Sequence, residues 1–157
     1  MSNITLAAKN LQNVLVALGW EPQLDERSMG FFMDLGPPHV PVASAYAAIS
    51  IDGEQFVIYF NFGIEAPEES RDEVVRFIAR ANWGLMIGNF EMDFDDGQVR
   101  FKSSLDFSDA ELTETLIRNA IRPAMQAVET YAEAIVDVIA RGKSAADAIR
   151  EVEIESE

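Results

Sequence analysis

The sequence contains no cysteine and only one histidine, and these absences exclude most metal and nucleophilic chemistry. Without cysteine the chain has neither a disulfide nor a thiolate nucleophile. The single histidine, His39, lies in a proline-rich stretch, so a zinc or redox-metal site would lack its usual nitrogen and sulfur ligands. A nucleophilic serine would have only this histidine as its base. We therefore expect His39 to be a structural or surface residue, and we expect no metal and no cofactor.

Positive charge is also scarce. The 157 residues include 12 Lys and Arg against 27 Asp and Glu, which gives a formal net charge of -15. Phosphate groups repel such a surface, so nucleic acid and anionic membranes are poor partners. The acidity either serves solubility or favours a basic or neutral protein partner. No apolar run is long enough to span a bilayer, and residues 1–19 lack the pattern of a signal peptide, so we expect a cytoplasmic protein.

The motifs of common active sites are missing as well. There is no Gly-x-Ser-x-Gly elbow, no phosphate loop ending in Lys-Ser/Thr, and no dinucleotide-binding glycine pattern. Asp93, Asp95 and Asp96 suggest a calcium loop. An EF-hand beginning at Asp93 would, however, place Gly97 and Ser104 where oxygen ligands are required, so a hairpin turn accounts better for these residues. The 27 acidic residues offer many carboxylate pairs and leave a carboxylate-based enzyme open as an alternative.

The composition is typical of one globular domain. Hydrophobic residues make up 48% of the chain and aromatic residues 10%. A chain of this length buries about 68–70% of its unfolded surface, which is enough for a hydrophobic core. We expect residues 1–157 to form a single domain, with an acidic tail at residues 151–157 that frays.

Two Asp-Gly pairs, each between runs of alternating residues, predict β-hairpins. With Asp52-Gly53 as the two turn residues, Ile49 lies opposite Phe56 on an apolar face. On the other face Tyr46 lies opposite Tyr59. The run 28–35 before this hairpin alternates in the same way and predicts a further strand.

The second hairpin is predicted around Asp96-Gly97. A two-residue turn there gives the pairs Phe94/Val99 and Met92/Phe101 on an apolar face, and Asp93/Arg100 and Glu91/Lys102 on a charged face. A slip by one residue would exchange the two faces, so the agreement of both patterns supports this register.

Helical stripes and capping residues predict helices around these strands. The first runs from Ser2 or Asn3 to just before Gly19, the second begins at Pro67, the third begins in the capping-box pattern Ser108–Glu111, and a short last one follows Ser144. Gly142 should end the third helix, and Pro123 should kink or break it. The order α-βββ-α-ββ-α is typical of an α+β fold, here an antiparallel five-stranded sheet with helices packed on one face.

Four residues are candidates for partner binding. Tyr46, Val57 and Tyr59 fall on the sheet face opposite the expected core, and aromatic side chains are enriched at interfaces. The alternative is that a helix or a second copy of the chain covers them. Trp83, at the exit of the second helix, is either a ligand platform or a core residue.

Residues 80–107 resemble a known protein family. The resemblance lies in Arg80-Ala81-Asn82, Gly88-Asn89-Phe90-Glu91 and Asp96-Gly97-x-Val99-Arg100-Phe101, followed by a long helix. These residues resemble the YbjN family, bacterial proteins described as sensory transduction regulators with a type III secretion chaperone-like fold. In organisation the resemblance extends over residues 20–142, and it includes no catalytic motif.

The resemblance implies a small homodimeric α+β module that binds a protein partner and has no active-site residues. We therefore expect a non-enzymatic adaptor or regulatory protein whose partner is unidentified. A small-ligand sensor with an enclosed apolar cavity is an alternative, as is the carboxylate-based enzyme.

Overall fold

The computed structural model describes residues 3–36, 41–50, 52 and 54–155, and His39 lies outside them. The elements are α1 (Asn3–Ala17), β1 (Gln23–Asp25), β2 (Gly30–Asp34), β3 (Val42–Ser50), β4 (Gln55–Glu65), α2 (Glu68–Trp83), β5 (Asn89–Met92), β6 (Gln98–Asp106), α3 (Glu114–Arg141) and α4 (Ala145–Glu155). Among these helices none is both long and apolar enough to cross a bilayer.

Within the described residues, six strands form one antiparallel sheet in the order β1-β2-β3-β4-β6-β5. The prediction of five strands was wrong, and the element order is α-ββββ-α-ββ-α-α. The additional strand, β1, has three residues and lies at the sheet edge, with Leu24 opposite Phe31 of β2. It does not alternate between buried and exposed residues, and that alternation was the signal that predicted the other strands.

The register predicted for the first hairpin is confirmed. Ile49 of β3 lies opposite Phe56 of β4, and Tyr46 lies opposite Tyr59. Gly53, one of the two predicted turn residues, lies outside the described residues. Alternation then separates a buried inner face from an outer face. From β3 and β4 the inner face receives Ala45, Ala47, Ile49, Phe56, Ile58, Phe60 and Phe62.

The register predicted for the second hairpin was wrong by two residues. Phe90 lies opposite Phe101, and Met92 lies opposite Val99. The loop has four residues, 94–97, because the Asp93 N–H donates to the Gln98 carbonyl (3.0 Å). A shift by two residues leaves every strand residue on its predicted face, since side chains alternate with a period of two. Residue 94, predicted to be a strand residue, belongs to the turn instead.

The aspartates of this turn hold its backbone in place. The Asp93 carboxylate accepts a hydrogen bond from the Asp95 N–H (2.9 Å), and the Asp96 carboxylate accepts one from the Gln98 N–H (2.8 Å). Hydrogen bonds in which an aspartate side chain accepts from the backbone N–H two residues ahead are typical of Asx turns. The carboxylates of Asp93 and Asp96 therefore have a local structural role in the turn.

Helices cover the inner face of the sheet and complete the core. α2 buries one face at helical spacing, with Val74, Phe77, Ile78 and Ala81 packed inward. α1 contributes Ala7, Leu11, Val14 and Leu15. The one buried polar side chain among the described residues, Ser103 of β6, donates a hydrogen bond to the Ala120 carbonyl of α3 (2.9 Å).

The long helix α3 departs from its prediction at two points. It begins after Thr113, whose hydroxyl accepts from the Leu116 N–H (3.2 Å), and not in the predicted capping box. Asp109 has a φ of 59°, which is incompatible with a right-handed helix at that position. Of the kink or break predicted at Pro123, the break is wrong, because α3 continues through this proline to Arg141. The buried face formed by Ile117, Ile121, Ala124 and their neighbours packs against the sheet and α1 and holds the helix together.

The end of α3 and the start of α4 follow the prediction. Gly142 has a φ of 66° and ends α3. Ser144 caps α4, since its hydroxyl accepts from the Asp147 N–H (3.1 Å). Residues 151–155 continue α4, with Glu151 bonded to Lys143 (2.6 Å).

Candidate functional site

Three of the four predicted partner-binding residues lie together on the outer face of the sheet. Tyr46 and Tyr59 are directly opposite each other on β3 and β4, and Val57 lies one pleat further along β4. All three are half-buried, while their neighbours on the inner face are buried. This difference places the helical layer on the other side of the sheet.

A third aromatic residue extends this group. Phe32 of β2 lies opposite Tyr46, so Phe32, Tyr46 and Tyr59 form a row across three adjacent strands. Lys102 of β6 continues the row beyond Tyr59. We call Phe32, Tyr46, Val57 and Tyr59 the outer aromatic face. Phe32 was not predicted as a site residue. The alternation of its strand was the available signal, but the pairing of β2 with β3 was needed to place it beside Tyr46.

A chain of hydrogen bonds fixes the Tyr46 end of the row. The Tyr46 hydroxyl donates to the Ser28 hydroxyl, and Ser28 donates to the Asp25 carboxylate (2.5 Å). The bond from Ser28, together with one from the Arg27 N–H, lowers the pKa of Asp25. Gly30 makes room for the ring, since a Cβ at this position would lie 2.9 Å from Cε2 of Tyr46.

An ion-pair network fixes the Tyr59 end. The Arg100 guanidinium lies over the Tyr59 ring, with Cζ 4.0 Å from the ring centroid, which is cation–π geometry. Glu91 accepts from Arg100 Nε (2.5 Å) and from Lys102 Nζ (3.1 Å). Burial alone would raise the pKa of Glu91, but the two cations together outweigh it and lower that pKa. The outer aromatic face is thus rigid at both ends and carries a positive edge on an acidic protein.

Trp83 lies apart from this face. It is the last residue of α2 and its side chain is 94% exposed, so it is not a core residue. It borders a groove of about 810 Å³ between α2 and α4, together with Arg76, Arg80 and Ile149. The structure therefore does not bring Trp83 together with the two tyrosines. The next loop exposes Met86 almost completely, at 99%.

The carboxyl groups with shifted pKa values all accept hydrogen bonds from neighbouring residues. In the part of the chain that the structure describes, every carboxyl group with a shifted pKa is shifted downward: Asp25, Glu91, Asp106 and Asp137. For Asp106 the cause is hydrogen bonding from Ser108 and Gln55, and for Asp137 it is chiefly the hydrogen bond from Lys143. A general acid needs the opposite shift. Their lowered pKa values favour the ionised form of these four groups.

Comparison with known proteins places the fold. No curated protein sequence matches this chain. The crystal structure of YbjN from E. coli is similar at a TM-score of 0.56 and 15% identity, covering 80% of this chain and 92% of that one. A chain of the HopA1–SchA chaperone–effector complex is similar at a TM-score of 0.54 and 9% identity, covering 85% of this chain and 98% of that one. A chain of the ExsC–ExsE complex is similar at a TM-score of 0.53 and 11% identity, covering 85% of this chain and 96% of that one.

These likenesses show that the fold is of the chaperone-like kind. The sequence itself supplies the family. The family model described as "Putative bacterial sensory transduction regulator" matches residues 7–137, which is most of the chain and includes both hairpins and nearly all of α3. This chain belongs to the YbjN family.

Proposed function

We propose that this protein is a non-enzymatic adaptor or regulatory module that binds a partner protein through the outer aromatic face. The row Phe32–Tyr46–Tyr59 carries the proposal. Tyrosine and arginine are enriched among the residues that dominate binding energy at interfaces. Here they lie in register on a rigid sheet, and Arg100 is already oriented by Glu91. A surface fixed in this way loses little conformational freedom on binding.

The comparisons support a binding role at the level of fold. Two of the similar structures were solved as complexes, one between ExsC and ExsE and one between a chaperone and its effector. Fold analogy alone does not carry a function, so the proposal rests on the chemistry of the outer aromatic face. The chemistry of the carboxyl groups is in keeping with a non-enzymatic role.

The first test compares the affinity of two variants for the captured partner. The wild-type chain captures a partner from its native host, and the dissociation constant of the identified partner is then measured by calorimetry. Replacing Tyr46 and Tyr59 together by serine should weaken binding at least about tenfold, because central aromatic contacts carry most of the binding energy. Val16→Ser, which removes an exposed apolar side chain from α1, should leave the affinity unchanged.

Circular dichroism and thermal unfolding must show that both variants stay folded. If the double variant binds the partner as tightly as the Val16→Ser protein, the outer aromatic face is not the binding surface.

We further propose that the protein is a homodimer and that the end of α2, together with the loop after it, forms the contact. Trp83, Met86 and Ile87 expose apolar side chains close together in sequence, and a second copy would cover them. Light scattering should give twice the mass of the 17.4 kDa chain. Trp83→Ser with Met86→Ser should shift the protein to monomer, whereas Val16→Ser should not. A wild-type protein that is monomeric at micromolar concentration would refute the proposal.

A further inference from the structure

A second cleft lies on the helical side of the sheet, away from the outer aromatic face. It has a volume of about 400 Å³ and lies where α3 crosses the ends of the central strands. Its lining is mostly apolar: Trp20, Leu35, Val42, Phe60, Met125 and Val128. We call this the α3 cleft. Its volume is within the range of pockets that bind ligands.

Backbone hydrogen bonds fix the floor of the α3 cleft. Gly19, with a φ of 83°, ends α1, and the Trp20 N–H donates to the Leu15 carbonyl (3.2 Å). The chain reversal places the Trp20 ring edge-on to Phe60, with ring centroids 6.1 Å apart. The Leu35 N–H donates to the Ala43 carbonyl (3.1 Å). These contacts hold Trp20 and Leu35 in place, and Met125 adds an adaptable side chain to the lining.

The rim of the α3 cleft carries two negative charges. Glu129 and Glu133 lie one turn apart on α3, both exposed, and neither forms an ion pair with a described residue. The other two acids of α3 are paired, Glu114 with Arg118 (3.3 Å) and Asp137 with Lys143 (2.8 Å). Like charges four residues apart destabilise a helix slightly, so this pair favours a cation at the cleft.

We propose that the α3 cleft binds a peptide segment of the partner protein in which a large apolar side chain is flanked by Lys or Arg. The apolar floor takes the anchor side chain, and Glu129 and Glu133 pair with the flanking cations. With a chain charge of -15, the protein attracts such a segment and repels an acidic one. This inference rests on the proposed protein-binding function, and it adds the chemistry of the partner and a second point of contact.

The test begins with a random-peptide phage library panned on the full-length protein. The enriched peptides should carry Leu, Phe or Met next to Lys or Arg. One of them is then synthesised and titrated by fluorescence polarisation. Glu129→Gln with Glu133→Gln should weaken its binding about three- to tenfold, an effect that added salt reduces. Glu68→Gln with Glu69→Gln changes the net charge equally at the start of α2 and should leave the affinity unchanged.

Tryptophan fluorescence locates the peptide directly. The chain has two tryptophans, so Trp83→Phe leaves Trp20, which lines the α3 cleft, as the sole reporter. The peptide should change the Trp20 emission, and a peptide whose apolar anchor is replaced by serine should not.

Three results would overturn the inference. The first is an absence of enriched peptides, or enriched peptides without basic residues. The second is equal affinity of the cleft and control variants. The third is a peptide whose binding depends on Tyr46 and Tyr59 and not on Glu129 and Glu133. That last result would refute the cleft but leave the proposed protein-binding function standing, and the capture experiment tests that function independently.

Discussion

Gly97→Ala should lower the free energy of unfolding by about 3 kcal/mol or more, because the position is restricted in two independent ways. Gly97 has a φ of 81°, in the left-handed region that costs other residues about 1–2 kcal/mol. A Cβ there would also overlap the Ala66 carbonyl oxygen and lie 2.9 Å from the carbonyl carbon. Ala66 cannot move aside easily, since its N–H donates to the Gly97 carbonyl (2.8 Å) and its own carbonyl accepts from Arg71 Nε (3.1 Å). Urea denaturation followed by circular dichroism measures the change.

Gly142→Ala is the matched control. Gly142 has a similar φ of 66°, but a Cβ there would meet nothing within 4 Å. Its substitution should therefore lower the free energy of unfolding only by the cost of the left-handed conformation, about 1–2 kcal/mol. The difference between the two variants isolates the close approach of the turn to Ala66. Equal losses in the two variants would mean that the turn does not pack against Ala66.

The sequence predicted the strand register of the first hairpin correctly and that of the second incorrectly. The packing of Gly97 against Ala66 explains the difference. An Asp-Gly pair favours a two-residue turn, and the register of the first hairpin follows that rule. In the second hairpin Gly97 takes its positive φ at the end of a four-residue loop, where it lies against Ala66 from the segment before α2. Asp93 and Asp96 stabilise the longer loop locally. A contact between distant segments decided the register, and local pattern does not report such contacts.

The candidate site, like the fold, was predictable only in part from the sequence. Alternation along β3 and β4 placed Tyr46, Val57 and Tyr59 on one face, and the hairpin register made Tyr46 and Tyr59 neighbours. The position of Arg100 over Tyr59 depends on the pairing of β4 with β6, which are separated along the chain by α2 and β5.

Other features depend on distant parts of the chain in the same way. The exposed edge strand β1 has no apolar periodicity to reveal it. The α3 cleft is lined by residues that follow α1 and β2 and by residues of β3, β4 and α3, so it needs all of these segments in their final arrangement. The local sequence pattern predicts which face of a strand a residue lies on. Sites built from several elements depend on tertiary packing, which the local pattern does not predict.

Phe90→Ala should cost about 3–5 kcal/mol, while Phe94→Ala should change the free energy of unfolding by no more than about 0.5 kcal/mol. Phe90 is 1% exposed and packs edge-to-face against Phe101, Tyr131 and Phe62, with ring centroids 4.8, 5.9 and 6.4 Å away. Its loss leaves a cavity among aromatic rings that are held by the sheet and α3. Phe94 is 53% exposed in the turn, where its carbonyl, not its ring, accepts from Arg71 (2.9 Å).

This pair of variants discriminates between the two possible registers of the second hairpin. A two-residue turn at Asp96-Gly97 would bury Phe94 opposite Val99, so Phe94→Ala would then be the costly change. The four-residue loop instead leaves Phe94 exposed and places Arg100 opposite Glu91. That arrangement holds the guanidinium over Tyr59 and gives the outer aromatic face its positive edge. Chemical denaturation of the two variants side by side, with the order of their midpoints as the readout, therefore tests the register on which the proposed binding surface depends.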